Sequence, residues 1–158
     1  MARDDRPFLV RRSPIHGNGL IARTDLPSGM QLLEYKGRLL SHAEANAIYS
    51  ASIETGHTFL FTLNADYLID ANVNGNAARW INHSCSPNCG AFTVPDPDGN
   101  PARERIYIET IKAVRAGTEL TYNYEIRLAQ PHTARLKKIW ACCCGAKNCT
   151  GTLLQSKR

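Results

Sequence analysis

The chain has 158 residues, of which 43% are hydrophobic and 21% charged, and its formal net charge is +5 at pH 7. This length predicts one domain whose core does not depend on a metal ion, and no segment is apolar enough to span a membrane. The start, MARDDRPF, lacks an apolar secretory segment, so we expect a reducing cytoplasm in which the six cysteines bind metal rather than form disulfides. The basic residues are scattered, so an ordinary solvated surface explains the charge as well as direct contact with nucleic acid does.

Most of the chain predicts short β-strands separated by turns. In chain order, the predicted elements are strands at Phe8–Arg12 and Gln31–Leu40, a helix to about Ile53, strands at Thr58–Leu63, Arg105–Ile111 and Glu119–Tyr124, and a helix at Thr133–Trp140. Ser41 and Glu44 have the spacing of a capping box, which opens the first helix. The segment PDPDGNP at 95–101 predicts a loop or a hairpin tip.

The segment RWINHSCSPNC at 79–89 combines an apolar pair, Trp80 and Ile81, with a dense run of polar side chains. Polar groups buried beside a core cost free energy unless each is hydrogen-bonded, and many such groups are difficult to satisfy together. The segment is therefore either a turn-rich loop or a functional site.

Two other segments contain glycine and polar residues near predicted strands. Within HGNGLIAR at 16–23, Asn18 and Gly19 form a typical hairpin turn, and the glycines would also let a ligand approach the backbone. Within AGTELTYNYE at 116–125, strand alternation places Tyr122 and Tyr124 on one face. These two phenols either pack with polar tips exposed or line a channel.

The C-terminal segment CCCGAKNC at 142–149 predicts a metal site. Cys142, Cys144 and Cys149 have the spacing C-x-C-x4-C, which supplies three thiolates. A closed structural zinc site needs four ligands, and the remaining candidates are Cys85, Cys89 and Cys143. Free thiols are the alternative.

Together these motifs resemble SET-domain protein lysine methyltransferases. RWINHSCSPNC resembles the Asn-His-Ser signature of that family, GTELTYNY is similar to its Tyr-containing signature, and HGNG is similar to its amino-terminal G-x-G. The C-x-C-x4-C spacing followed by Gly151 and Leu153 resembles the post-SET zinc motif, and EYKG at 34–37 and YLIDANVNGN at 67–76 match between them. The resemblance covers essentially residues 8–154 and is typical of a minimal, bacterial-type member.

The resemblance implies a mostly β fold with some helix. Small β-sheets would surround a pseudoknot formed by the Asn-His-Ser and Tyr-containing segments. The implied organisation is a SET domain over 8–130 and a C-terminal zinc-binding post-SET element over 131–154.

The resemblance also implies site residues. Tyr124, Tyr122 and Tyr35 would line the lysine channel and act in catalysis, with Tyr122 limiting the number of methyl groups added. Cys85 would complete a Zn²⁺ site with Cys142, Cys144 and Cys149. Contacts with S-adenosyl-L-methionine are implied for His16, Gly17, Asn18, Gly19, Arg79, Asn82, His83 and Tyr124.

The sequence departs from the family pattern at three places. Asn18 stands where an aromatic residue is common, Asn123 replaces an aspartate between the two tyrosines, and no cysteine precedes Cys85. The usual cysteine-rich module before the SET domain is therefore not expected in this segment.

The expected function is methyl transfer from S-adenosylmethionine to a lysine amine in a protein. Lysine has a pKa of about 10.4 in water, so a dry channel near a positive sulfonium must favour the neutral amine. Histone tails, nucleoid proteins and ribosomal proteins are all compatible substrates, with Glu54, Asp66 or Glu125 as candidates for an acidic groove, and delivery to a host nucleus is conceivable. The rivals are a zinc-clamped basic module that binds nucleic acid or protein without catalysis, and a SET fold that keeps the cofactor but has lost catalysis.

Overall fold

The structure is a computed structural model and describes residues 6–15, 17–49, 59–124, 126 and 131–154. These residues form short strands, as the period-two patterns predict, and two short α-helices. The strands are β1 Phe8–Arg12, β2 Asn18–Ala22, β3 Gln31–Glu34, β4 Arg38–Ser41, β5 Leu60–Thr62, β6 Tyr67–Asp70, β7 Asn82–His83, β8 Cys89–Val94, β9 Arg105–Thr110 and β10 Glu119–Tyr122. The helices are α1 His42–Tyr49 and α2 Ala134–Ile139, and 3-10 turns form at Ala77–Trp80 and Pro101–Arg103.

The strands form three small sheets. Their strand orders are β1-β2-β10-β7, β3-β9-β8 and β4-β6-β5. Among the strands of the described residues, every pairing is antiparallel except that of β7 with β10, which is parallel. The predicted mostly β fold of small sheets is therefore confirmed.

The main core lies between these sheets. In β9, alternate residues are buried, so Ile106 and Ile108 are fully enclosed, as their alternation with polar residues predicts. The largest fully buried aliphatic and aromatic side chains of this core are Phe8, Leu20, Ile81, Ile106, Ile108 and Leu120. A separate small cluster of Leu136, Trp140 and Leu154 holds the C-terminal element together.

Several local signals are confirmed. Glu44 N–H donates to Ser41 Oγ at 3.1 Å while Ser41 N–H donates to the Glu44 carboxylate at 2.9 Å, which is the predicted capping box at the start of α1. Residues 95–101 connect the antiparallel strands β8 and β9. Thr133 caps α2, one residue before the first residue of that helix. The predicted part of the first helix beyond Tyr49 lies outside the described residues.

The predicted strand Gln31–Leu40 is wrong as one element. β3 pairs with β9, whereas β4 pairs with β6, so the chain changes sheets between Glu34 and Arg38. Gly37 lies at this change, and a Cβ on it would stand 2.4 Å from the Asp70 carbonyl oxygen. Only glycine allows this close approach of two backbones.

The predicted turn at Asn18 and Gly19 is also misplaced. Both residues belong to β2, where Asn18 pairs with Arg12 and Gly19 with Arg11. The turn forms earlier, where Ser13 N–H donates to the Gly17 carbonyl at 2.7 Å and Gly17 has a φ of +46°. Because Gly17 adopts the left-handed conformation and closes the hairpin, Asn18 and Gly19 remain in the extended strand β2.

The strand predicted over Glu119–Tyr124 is too long. β10 ends at Tyr122, since its parallel partner β7 contains only Asn82 and His83. Beyond it, Tyr124 N–H donates to a side chain instead of to a strand.

In the described part of the chain, no helix is long and apolar enough to cross a membrane.

Candidate active site and metal centre

The Asn-His pair lies beside the Tyr-containing strand, as the pseudoknot prediction requires. Asn82 pairs with Thr121 and His83 with Tyr122 in the parallel β7–β10 pair. The Asn82 amide donates to the Asn18 carbonyl at 2.9 Å and to the Glu119 carboxylate at 2.8 Å. One buried amide thus joins β2, β7 and β10.

Glu119 explains the glycine at position 19. Its carboxylate also accepts from the Ser13 hydroxyl at 2.7 Å, and a Cβ on Gly19 would stand 2.5 Å from this carboxylate. Gly19 therefore accommodates a side chain of the protein itself, whereas a Cβ on Gly17 would meet nothing within 4 Å. Of the two glycines, Gly17 is the one that borders open space.

His83 connects the tyrosine segment with a cysteine. Its Nδ1 accepts from the Tyr124 backbone N–H at 3.0 Å, and its Nε2 lies 3.5 Å from Cys85 Sγ. Burial lowers the pKa of His83, which favours the neutral ring. Since Nδ1 is the acceptor, we assign the proton to Nε2, which can donate to the sulfur.

Four aromatic rings pack in a row behind this strand pair. The ring centroids of Tyr35 and Phe61 are 5.0 Å apart, those of Phe61 and Tyr122 5.8 Å, and those of Tyr122 and Tyr124 4.9 Å. We call Tyr35, Phe61, Tyr122 and Tyr124 the aromatic cluster. Its members come from three separate segments, because Tyr122 and Tyr124 are close in the chain, so only the tertiary fold brings Tyr35 to the other two tyrosines.

The three hydroxyl groups of the aromatic cluster differ in their hydrogen bonds. Tyr124 donates to the Ile81 carbonyl, and Tyr35 donates to the Phe59 carbonyl at 3.0 Å. Within the described ranges, the Tyr122 hydroxyl has no hydrogen-bond partner. Burial raises the pKa of all three phenols, so they remain protonated at neutral pH and can donate but cannot act as phenolate bases.

Arg79 lies in the 3-10 turn that leads into the Asn-His pair. Its guanidinium stacks over the Trp80 ring at 4.6 Å, and Nη1 donates to the Ala71 carbonyl at 3.4 Å. Its Nε is buried without a hydrogen-bond partner among the described residues. This donor is therefore available to a bound polar group.

The four predicted cysteine ligands come together. The sulfur atoms of Cys85, Cys142, Cys144 and Cys149 all lie within 4.8 Å of one another, and we call this group the cysteine cluster. The Cys85 and Cys142 sulfurs are 3.9 Å apart. Tetrahedral zinc with Zn–S bonds of about 2.3 Å needs sulfurs about 3.8 Å apart, so the geometry suits this metal.

The thiols of the cysteine cluster differ in their protonation. Burial raises the pKa of Cys144, but backbone hydrogen bonds from Cys85 and Ala146 and contacts with neighbouring thiols lower it to about 6. For Cys142, burial raises the pKa. The cluster thus already stabilises one thiolate, which is the form that binds metal.

The other two cysteines do not join this group. Cys89 is buried in the main core, where burial raises its pKa to about 11, and Cys143 is exposed. Neither belongs to the set of sulfurs that could share one ion.

Most of the predicted site residues therefore lie in two adjoining groups joined by His83, while His16 lies outside the described residues. Sequence reasoning missed Phe61, which fills the space between two tyrosines, and Glu119, which fixes Asn82. For Phe61, the available signal was the alternation of Phe59 and Phe61 with Leu60 and Thr62. A glutamate two residues after a turn glycine carried no comparable signal.

Comparison with known proteins identifies the family. The SET domain matches over residues 17–125. The chain is 33% identical over 150 residues to "Histone-lysine N-methyltransferase, H3 lysine-4 specific" of Saccharomyces cerevisiae, covering 94% of this chain and 13% of that protein. It is 37% identical over 141 residues to "Histone-lysine N-methyltransferase SETD2" of Homo sapiens, covering 87% of this chain and 5% of that protein.

A solved structure supports the same grouping. It is a humanized mutant of the Chaetomium thermophilum Polycomb Repressive Complex 2 bound to the inhibitor GSK126, with a TM-score of 0.62 and 31% identity over 74% of this chain and 14% of that chain. The chain thus spans only a small part of the relatives that it matches. More than half of the chain is matched, the Asn-His and Tyr-containing segments are paired, and the fold consists mostly of small β-sheets, so the chain belongs to the SET-domain family.

Proposed function

We propose that this protein transfers a methyl group from S-adenosylmethionine to the side-chain amine of a lysine in a protein substrate. The observation that carries the proposal is the aromatic cluster of buried, protonated phenols beside the parallel Asn82–Thr121 and His83–Tyr122 pairs. Its similarity to proteins named histone-lysine N-methyltransferases supports the same reaction.

The residues predicted to hold the cofactor suit a polar ligand. The Asn82 amide fixes the backbone at Asn18, the surface at Gly17 is open, and the Arg79 Nε is a buried donor without a partner among the described residues. S-adenosylmethionine would supply the methyl group and a positive sulfonium charge. We propose Gly17, Asn18, Gly19, Arg79, Asn82 and His83 as its contacts, with His16 as a further candidate.

The aromatic cluster would prepare the lysine amine. Its buried position disfavours an ammonium group, so a lysine entering it more readily loses its proton to solvent. The Tyr122 hydroxyl is available to hold an ordered water beside the neutral amine, and the Ile81 carbonyl fixes the orientation of Tyr124. Positioning of reacting groups of this kind contributes about 7–11 kcal/mol to lowering a barrier.

We further propose that the metal in the cysteine cluster is zinc. Four thiolates without an open position are typical of a structural site. The metal would join the Asn-His segment to the C-terminal element, and the Asn148 amide already donates to the Cys85 carbonyl at 3.0 Å. We propose 8–130 and 131–154 as the corresponding SET and post-SET parts.

The substrate is proposed only as a basic, lysine-containing protein. Histone tails, nucleoid proteins and ribosomal proteins all fit this chemistry. Asp66 is exposed in the turn before β6, whereas Glu54 and Glu125 lie outside the described residues. Direct contact with nucleic acid remains an alternative to which the scattered positive charge gives no specific support.

The proposal is tested by incubating the zinc-loaded protein with isotope-labelled S-adenosylmethionine and a panel of histones, nucleoid proteins and ribosomal proteins. We expect label on lysine in at least one of them. Saturable binding of the cofactor, measured by calorimetry, distinguishes the proposal from a basic binding module. Absence of such binding would contradict the proposal, and binding without methylation of any panel member would favour a SET fold that has lost catalysis.

A further inference from the structure

Asn76 lies between two segments of the proposed active site. Its amide Nδ2 donates to the Glu34 carbonyl at 2.8 Å, directly before Tyr35 in the chain. Its Oδ1 accepts from Ala78 N–H at 3.2 Å and lies 3.5 Å from Lys36 N, the outer limit of a hydrogen bond. One side chain thus contacts the backbone on both sides of Tyr35.

The same amide also begins the segment that carries the Asn-His pair. Asn76 is the N-cap of the 3-10 turn Ala77–Trp80, which leads through Ile81 to Asn82. The Ile81 carbonyl at the end of this turn accepts the hydrogen bond from Tyr124. The Asn76 side chain thus contacts the backbone that flanks Tyr35, and the turn that it caps ends at the carbonyl that holds Tyr124.

The contacts of Asn76 require both a donor and an acceptor in one short side chain. Aspartate can cap the 3-10 turn, since its oxygen accepts as well as that of asparagine, but it cannot donate to a carbonyl. The bond to Glu34 crosses 42 residues of sequence, whereas the cap is local. The two roles can therefore be separated by a single substitution.

We infer that Asn76 is a positioning residue that sets the place of Tyr35 in the aromatic cluster and thereby the shape of the lysine channel. This inference rests on the proposed function. Tyr35 is further fixed by its N–H, which donates to the Ile106 carbonyl at 2.8 Å, and by its hydroxyl bond to Phe59. Without the amide of Asn76, the segment that connects β3 to β4 loses the hydrogen bond from Asn76 to Glu34, which ties it to the Asn-His segment. Tyr35, which lies in that connecting segment, then shifts relative to Tyr122.

The decisive variant is Asn76→Asp, with Asn100→Asp as its matched control. Among the described residues, Asn100 caps a second 3-10 turn, Pro101–Arg103, by the same type of bond to Ala102 N–H at 3.0 Å, in an exposed hairpin tip. In Asn76→Asp we expect kcat on a lysine peptide to fall about tenfold or more, because small misplacements of reacting groups are costly. Peptide KM and cofactor Kd should stay within about twofold of the values for the unmodified protein, since neither binding surface is removed.

A second measurement does not depend on turnover. In protein labelled with ¹³C on the tyrosine rings, and with Tyr35 assigned from Tyr35→Phe, the Tyr35 resonance should shift in Asn76→Asp and remain unchanged in Asn100→Asp. Asn76→Ser, which keeps a neutral cap acceptor without the amide, should show the same Tyr35 shift. This variant excludes the introduced carboxylate as the cause and serves if Asn76→Asp does not fold.

Unchanged kcat and an unchanged Tyr35 resonance in a folded Asn76 variant would overturn the inference. Equal losses in kcat, cofactor affinity and thermal stability would also overturn it, because they indicate a general structural role. If the unmodified protein methylates no lysine but the Tyr35 resonance still shifts, the proposed function fails while the positioning contact stands.

Discussion

At the scale of single residues, Tyr122 has the least constrained hydroxyl of the aromatic cluster. Its ring is buried between Phe61 and Tyr124, and its hydroxyl has no hydrogen-bond partner in the described part of the chain. Such a hydroxyl can hold an ordered water beside a lysine amine, in space that a methylated amine needs. We therefore expect the unmodified protein to produce mainly monomethyl-lysine.

Tyr122→Phe should change the product rather than remove the activity. Phenylalanine cannot hold the water, so the space opens and the products shift toward di- and trimethyl-lysine. Mass spectrometry of a methylated peptide over time measures this shift, with Tyr107→Phe on β9 as the control for loss of a phenol elsewhere. Predominant trimethylation by the unmodified protein, or the same products from both proteins, would contradict the prediction.

Tyr124 should respond differently, because its hydroxyl is already engaged by the Ile81 carbonyl. Tyr124→Phe removes the group that is proposed to act at the reacting centre, so turnover should fall by about two orders of magnitude. Cofactor affinity should remain nearly unchanged, whereas Asn82→Ala should weaken it first by releasing Asn18 and Glu119. Single-turnover kinetics and calorimetry separate the two effects, and full activity of Tyr124→Phe would show that its role is structural.

Single residues also show what sequence reasoning can reach. A dense polar run after Trp80 and Ile81 indicates a site because so many buried polar groups need partners, and Asn82 and His83 do have such partners. The roles of Phe61 and Asn76 arise from contacts with segments far away in the chain. The alternation of Phe59 and Phe61 predicts a strand but not the tyrosines that Phe61 lies between, and nothing near Asn76 in the chain indicates its bond to Glu34.

At the scale of secondary-structure elements, local chemistry predicted helix starts better than strand limits. The capping box of Ser41 and Glu44 depends on four consecutive residues, so the sequence contains all of it. The break between β3 and β4 depends on Gly37 packing against the backbone of Asp70, more than thirty residues away. The hairpin of β1 and β2 similarly depends on the backbone bond between Ser13 and Gly17, which the stronger signal of Asn18 and Gly19 concealed.

Asp70 is the buried charge that joins α1 to the β4-β6-β5 sheet. Its carboxylate accepts from Arg38 at 2.8 Å, from the Tyr49 hydroxyl at 2.7 Å and from Asn72 N–H at 2.9 Å. Burial alone would raise its pKa, but these hydrogen bonds outweigh it and lower the pKa below 3.8. The resulting stabilisation is present above the unfolded pKa and is lost as pH falls through the folded pKa.

Asp70→Asn should therefore lower the free energy of unfolding by about 1–3 kcal/mol near neutral pH, because an amide nitrogen replaces one acceptor. The difference from the unmodified protein should shrink when the pH falls below the ordinary aspartate pKa of 3.8. Urea unfolding at the two pH values measures it, with the exposed Asp66→Asn as control. A difference that does not depend on pH would show that the charge of Asp70 contributes nothing.

At the scale of the whole molecule, the C-terminal element has little core of its own. Leu136, Trp140 and Leu154 form a small cluster, and Ala141 and Thr152 make an isolated bridge. Its polar connection to the SET core is made by the cysteine cluster and by Asn148. The spacing C-x-C-x4-C predicted three of these sulfurs, but the fourth lies 57 residues before Cys142, and only the family resemblance selected Cys85 over Cys89.

The link between the cysteine cluster and the active site passes through His83. His83 is only two residues before Cys85, and its Nδ1 accepts from Tyr124 N–H. A metal bound to Cys85 would therefore also hold the segment that contacts Tyr124. We therefore expect metal removal to affect both the stability of the C-terminal element and the order of the tyrosine segment. Neither effect would follow if the cluster were four unligated thiols.

Cys85→Ser and Cys143→Ser form the matched pair that tests this coupling. Elemental analysis should find one zinc per chain in the unmodified protein, and Cys85→Ser should lose most of this zinc. Cys143→Ser should retain the zinc, because the Cys143 thiol lies outside the cysteine cluster. Since ligand binding to the folded state stabilises it by mass action, loss of zinc should lower Tm by roughly 5–10 °C for a domain of this size. Chelation of the unmodified protein should produce the same decrease, and hydrogen exchange should increase in the C-terminal element and at Tyr124. Equal zinc loss from both variants would refute the ligand assignment, and an unchanged Tm after complete removal of zinc would show that the metal does not join the two parts of the molecule.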